Sequence, residues 1–119
     1  MKKIRVVPIP GTTLAENKDE AATIREDEIL PALEKSERVT IDFEGIETAT
    51  QSYVHALIAE AIRRHGAKAF DLLVFKNCSE GVRHIIRTVF EYTLRSQGDQ
   101  ARVSATPSRF VAESDGNHE

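Results

Sequence analysis

The chain has 119 residues, with 16 Lys and Arg against 19 Asp and Glu, which gives a formal net charge of −3 at pH 7. An apolar share of 40% and a charged share of 29% are ordinary for a globular protein and exclude a disordered chain, a collagen-like repeat or a disulfide scaffold. The length suits one domain with a single core, and the mild acidity argues against broad non-specific nucleic-acid binding.

A strand and a helix are predicted first. Residues 4–7 form a short β-favouring run, and residues 17–37 follow with helical periodicity and acidic residues at the start, where a helix dipole favours negative charge. The apolar stripe of this helix consists of Ala22, Ile29, Leu30 and Leu33. Because Pro31 removes an interior hydrogen bond, we expect a kink or a restart there.

A second strand and helix come next. Residues 39–43 alternate apolar and polar side chains before Gly45, which predicts a strand. The helix that follows has Val54, Leu57, Ile58, Ala61 and Ile62 on its apolar face. Thr48 with Gln51 fits a capping box at its start, and Thr50 or Ser52 is an alternative cap.

The third unit has the same order. Residues 71–75 form an apolar run typical of a strand buried on both faces. Asn77 with Glu80 fits the cap of a helix, whose apolar side consists of Val82, Ile85, Ile86, Val89, Phe90 and Leu94. Val103 or residues 110–111 are expected to add an edge strand.

This alternation predicts an α/β fold, in which a mainly parallel or mixed four-stranded sheet packs with about three helices. We expect one domain over residues 1–112 and a disordered tail over residues 113–119. The single Cys78 excludes an internal disulfide, and no signal peptide or membrane span is visible, so we expect a cytoplasmic protein.

Several kinds of site are missing from the sequence. The glycines are isolated, so no phosphate-binding loop is predicted, and the scattered histidines predict no zinc site. We therefore expect neither a cofactor nor a metal. A nucleophilic triad of Ser52, His84 and Asp42 lacks the Gly-x-Ser-x-Gly turn that such a serine requires.

The most informative segment is the strand-to-helix corner, residues 41–53. It follows the carboxyl end of a predicted central strand, where open α/β sheets place their sites. It carries the hydroxyl groups of Thr48, Thr50 and Ser52 at a helix start, and a phosphate on one of them would be favoured by the helix dipole. The alternative role of these hydroxyl groups is helix capping.

Three segments in this order resemble the bacterial STAS-like domains of uncharacterised function. They are residues 39–46 (VTIDFEGI), Ser52-Tyr53, and residues 75–82 (FKNCSEGV) followed by Ile85-Ile86. The chain is similar, more remotely, to the anti-sigma-factor antagonists, which bind a serine-kinase anti-sigma factor and are switched by phosphorylation of a serine. The resemblance implies that Ser52 is that serine, with Thr50 and Tyr53 in place of the antagonists' Asp and Gly.

The resemblance implies a non-catalytic bacterial signalling module that binds a protein partner, such as a serine-kinase-like ATPase, and neither nucleic acid nor a membrane. The expected partner surface consists of Asp42, Glu44, Thr48, Thr50, Ser52, Tyr53 and His55. Two alternatives stay open. One is a constitutive accessory or ligand-sensing subunit without a phosphorylation switch, and the other is a small hydrolase or transferase that uses Ser52.

Overall fold

Strands and helices alternate through the computed structural model, which describes residues 2–96 and 110–111. In chain order the elements are β1 (Lys2–Arg5), β2 (Leu14–Ala15), α1 (Lys18–Ile24, Arg25–Ile29 and Leu30–Glu34), β3 (Val39–Asp42), β4 (Thr48–Ala49), α2 (Gln51–Val54, His55–Ala59 and Glu60–His65), α3 (Ala67–Leu72), β5 (Leu73–Lys76), α4 (Glu80–Ser96) and β6 (Phe110–Val111). The middle segment of α1 and of α2 is a wider, π-helical turn.

The main sheet has the strand order β1-β3-β5-β6, and every pair in it is parallel. Ile4, Ile41 and Phe75 lie side by side in the register, and all three are buried in the core. The α/β class and the parallel pairing are therefore confirmed. The sheet differs from the expected one in two respects. Only β1, β3 and β5 have four residues, with β6 adding two residues at the edge, and a separate two-stranded sheet is present.

The separate sheet is the parallel pair of β2 and β4, with Leu14 opposite Thr48 and Ala15 opposite Ala49. The prediction of Thr48 as a helix cap is wrong, because Thr48 lies in β4. Thr50, the alternative, is the N-cap of α2. Asn17 caps α1, only two residues after β2, so the small sheet holds the starts of both helices together.

Pro31 is accommodated without a break in α1. The π-helical turn over Arg25–Ile29 ends two residues before the proline, and the N–H of Leu30 donates to the carbonyl of Arg25. A proline ring crowds the carbonyl four residues earlier, here Asp27, and a wider turn gives it room. In place of the expected kink or restart, the helix widens locally in the turn before Pro31.

The segment before β5 departs from the sequence prediction. Residues 71 and 72 end the helix α3, and the strand begins at Leu73. The apolar run did not reveal this boundary, because Leu72 at the end of α3 packs against the same core as Leu73 at the start of β5. Periodicity alone cannot separate a short buried helix from a buried strand.

The start of α4 is one further correction. Asn77 has a left-handed φ of 58° and lies before the helix, whereas the hydroxyl of Ser79 accepts a hydrogen bond from the N–H of Val82 at 3.1 Å. Ser79 therefore caps the first turn. The predicted edge strand at residues 110–111 is confirmed as β6, while Val103 and the tail at residues 113–119 lie outside the described residues.

Within the described ranges, no helix has the length and apolar character needed to cross a membrane.

Candidate functional site

The carboxyl ends of β3 and β5 are joined by one carboxylate. Asp42 Oδ1 accepts hydrogen bonds from the Glu44 N–H and from Asn77 Nδ2, both at 2.9 Å. Asparagine tolerates left-handed backbone better than most residues, and its side chain here uses that conformation to reach Asp42. Asp42 thus has a structural role at this end of the sheet.

Glu44 and the turn around it are more open. The Glu44 carboxylate lies 4.0 Å from the Arg5 guanidinium, and both side chains are more than 60% exposed, so this ion pair adds little stability. Ser79 Oγ donates to the carbonyl of Glu47 at 2.9 Å and fixes the turn against the start of α4. Glu44 and Thr48 are exposed, as a partner surface requires.

The start of α2 separates the roles of its two hydroxyl residues. Thr50 Oγ1 accepts a hydrogen bond from the Tyr53 N–H at 3.1 Å and so caps the helix. Ser52, the second helical residue, is exposed, and within the described part of the chain its hydroxyl makes no hydrogen bond. The capping role that competed with phosphorylation therefore belongs to Thr50.

Ser52 borders an open groove of about 400 Å³ between α1, α2 and α4. The groove is lined by Lys18, Gln51, Ser52, His55, Ala56 and Tyr92. His55 is half-buried, and its ring centroid lies 6.1 Å from that of Tyr92. One half of Tyr92 is exposed, so an aromatic surface forms one wall.

Tyr53 is fully buried, and its hydroxyl finds no hydrogen-bond partner among the described residues. Burial raises the pKa of Tyr53 well above its ordinary value, and the nearby Glu20 carboxylate raises it further. The prediction that Tyr53 belongs to the partner surface must be corrected. The large side chain enlarges the core beneath the corner and leaves the corner surface itself unobstructed.

Cys78 lies half-buried between β5 and α4. Desolvation raises the pKa of its thiol to about 12, against an opposing effect of Arg83 and with a smaller contribution from Asp42 in the same direction. A thiol in this state is a poor nucleophile, because the thiolate is the reactive form.

Within the described residues, no hydrogen bonds connect Ser52, His84 and Asp42, the nucleophilic triad considered from the sequence. The Asp42 oxygen that makes hydrogen bonds is used by Glu44 and Asn77, and no hydrogen bond in the described ranges joins Ser52 to His84. Among the residues described, no group of three or more His, Cys, Asp or Glu side chains is placed to hold a metal ion.

Sequence reasoning missed Lys18 and Tyr92, which complete the groove. Lys18 is the first residue of α1 and comes beside Ser52 only because β2 pairs with β4. A two-residue strand has too little periodicity to be recognised from sequence.

The comparison with known protein families finds a match. A family model described as a STAS-like domain of unknown function (DUF4325) matches residues 20–83, more than half of the chain. No curated protein and no solved structure matches the chain. The matched range contains the corner, Ser52 and His55, and it confirms the family suggested by the three sequence segments. The chain belongs to the family of STAS-like domains of unknown function.

Proposed function

We propose that this chain is a non-catalytic regulatory module of bacterial signalling, which binds a protein partner through the corner and is switched by phosphorylation of Ser52. Its partner would be a serine-kinase-like ATPase, as the resemblance to the anti-sigma-factor antagonists implies. The module would act in the cytoplasm, without nucleic acid or a membrane.

The exposed, uncommitted hydroxyl of Ser52 is the observation that supports this proposal most. Thr50 supplies the cap, so Ser52 is not needed for the helix start. Its place as the second residue of α2 puts it in the first turn of the helix, where added negative charge is favoured. A kinase could modify this side chain without unfolding the domain.

Phosphorylation would transfer the γ-phosphoryl group of ATP to Ser52 Oγ. The new Oγ–P bond replaces the bond from the γ-phosphorus to the oxygen of the ADP leaving group, and the hydroxyl proton passes to the kinase. The modified side chain carries about −1.5 to −2 charge at neutral pH. At an interface this charge adds repulsion and a desolvation cost, which weaken the complex.

The partner surface would consist of the exposed residues Glu44, Thr48 and Ser52 together with the half-buried Asp42, Thr50 and His55. Asp42 would act by holding the turn in place, since its carboxylate is engaged by Glu44 and Asn77.

The test is a pull-down from the native cell with wild type, Ser52→Ala and Ser52→Glu, with bound proteins identified by mass spectrometry. We expect wild type and Ser52→Ala to retain an ATPase that Ser52→Glu loses. Thr23→Glu is the matched control, because it adds the same charge to an exposed residue of α1 outside the corner.

Equal retention by all four proteins would leave a constitutive module and remove the switch. Incubation of the purified ATPase with wild type and ATP should add one phosphate to Ser52 and none to Ser52→Ala. An unmodified Ser52 in that reaction would contradict the phosphorylation step.

A further inference from the structure

Lys18 is the one lysine or arginine among the described residues that line the groove beside Ser52. It is exposed, and within the described part of the chain it forms no ion pair. Its charge is therefore not neutralised by a carboxylate of the described fold.

The register of the small sheet aligns Lys18 with Ser52. Ala15 is opposite Ala49 in the parallel pair, and the Thr50 N–H donates to the Ala15 carbonyl at 3.1 Å. Lys18 follows Ala15 by three residues, and Ser52 follows Ala49 by three residues. The helices themselves begin one residue out of step, so that Lys18 is the first residue of α1 and Ser52 is the second residue of α2. Their equal distance along the chain from two paired strands nevertheless brings both side chains to the same groove.

The two helices also stay in contact beyond their starts. Arg25 Nη1 donates to the carbonyl of Ala56 at 3.0 Å, which fixes α1 against α2 just behind the groove. The separation between Lys18 and Ser52 is therefore held by hydrogen bonds on both sides of the groove.

The electrostatic environment of the groove favours an anion. Its ionisable side chains are Lys18 from α1, His55 from α2 and Tyr92 from α4, and none of the lining residues is a carboxylate. Asp19 and Glu20 follow Lys18 on α1 but do not line the groove, and Glu20 lines a separate one beside Val7 and Pro10.

We infer that Lys18 receives the phosphate of phosphorylated Ser52 across this groove, so that the modification closes the groove with an internal ion pair. The inference rests on the proposed phosphorylation of Ser52 and names its regulation. The phosphate would occupy part of the groove and neutralise the charge of Lys18, which a partner could then no longer contact as a free cation. The switch then acts by withdrawing the charge of Lys18 from the partner as well as by repulsion.

The test uses the full chain with phosphoserine incorporated genetically at position 52, so that neither a kinase nor a partner is needed. Phosphorus NMR over a pH series gives the midpoint of the second phosphate ionisation in wild type and in Lys18→Gln. We expect the midpoint to be lower with Lys18 by roughly half a pH unit, because a nearby positive charge favours the dianion.

Lys35→Gln is the matched control, since Lys35 is an exposed residue after the far end of α1. It should leave the midpoint at the wild-type value. Equal midpoints in wild type and Lys18→Gln, with both proteins folded by circular dichroism, would overturn the inference. That result would leave the pull-down prediction standing, because partner binding is measured separately.

Discussion

At the scale of single residues, neighbouring side chains of the same type have different roles. Thr50 and Ser52 are two residues apart, but the first closes the helix start while the second is exposed and makes no hydrogen bond in the described structure. Sequence composition cannot assign these roles, because both residue types are good caps. The roles depend on the residue at which the helix begins.

Replacement of the two hydroxyls should therefore have unequal effects. Thr50→Ala leaves the Tyr53 N–H without its acceptor and should lower the free energy of unfolding by about 1 kcal/mol. Ser52→Ala should change it little, and Thr50→Ser should restore most of the loss. Urea unfolding followed by circular dichroism measures all three. An equal loss in Ser52→Ala would contradict the assignment of the cap.

Cys78 gives a prediction about pH. The unfolded thiol ionises near its ordinary pKa of about 8.5, whereas burial raises the folded pKa to about 12. Below the unfolded pKa both states hold the proton. Above it the unfolded state releases its proton first, so this contribution to stability is lost progressively as the pH rises towards the folded pKa.

When the pH is raised from 8 to 10, the urea midpoint of unfolding should therefore fall further for wild type than for Cys78→Ala, which has no thiol. The same proton equilibrium should make the folded thiol slow to react with iodoacetamide at pH 8, relative to the urea-unfolded chain. Rapid alkylation of the folded protein would contradict the buried state.

At the scale of elements, the two π-helical turns lie against each other. Arg25 and Ala56 belong to these turns, and their hydrogen bond joins α1 to α2. A π-helical turn changes the direction in which side chains leave a helix, and such turns are frequent at functional sites. Here the joined turns form the back of the groove.

Arg25→Ala should destabilise the fold by about 1 to 2 kcal/mol, because it removes a charged donor from a partly buried carbonyl. Glu26→Gln is the control, since it weakens only the exposed ion pair with Arg25 at 2.9 Å and should have little effect. Thermal unfolding of the two variants distinguishes them. Equal midpoints would show that the ion pair, and not the link to Ala56, is the important contact of Arg25.

Sequence patterns predicted the long elements well and the short ones poorly. The helix beginning near residue 80 and the strand at residues 39–43 have enough periodic apolar positions to be recognised. The pair of β2 and β4 has two residues in each strand and exists only because distant segments meet. The place of the corner between β3 and α2 was predicted, whereas the groove beside it was missed because Lys18 reaches it through that pairing.

At the scale of the whole molecule, one apolar core supports both the sheet and the site. Phe90 lies at its centre, where its ring meets Phe75 of β5 and Phe70 of α3, both edge-on, at 6.1 and 5.9 Å between centroids. The helix that carries Phe90 also carries Tyr92, the aromatic wall of the groove. Packing at this helix therefore positions part of the site.

Phe90→Ala should cost about 3 to 5 kcal/mol, since the cavity left by the ring cannot close completely. Small domains hold only about 5 to 15 kcal/mol in total, so this variant should be close to unfolding at room temperature. Phe90→Leu should lose less, and Tyr92→Ala much less, because half of Tyr92 is exposed. Denaturant midpoints give the order, and a similar loss in Tyr92→Ala would contradict it.

The equal spacing after Ala15 and Ala49 has a consequence for how this chain tolerates insertions. Each added residue turns a helix by about 100° about its axis, so one insertion between Ala15 and Lys18 would carry the lysine away from the groove. The same insertion placed after both alanines would not restore the site, because it would also turn buried side chains of each helix, such as Ile24 and Val54, away from the core. The lengths of these two short segments are therefore set jointly by the core and by the groove, although the segments are separated by more than thirty residues of sequence.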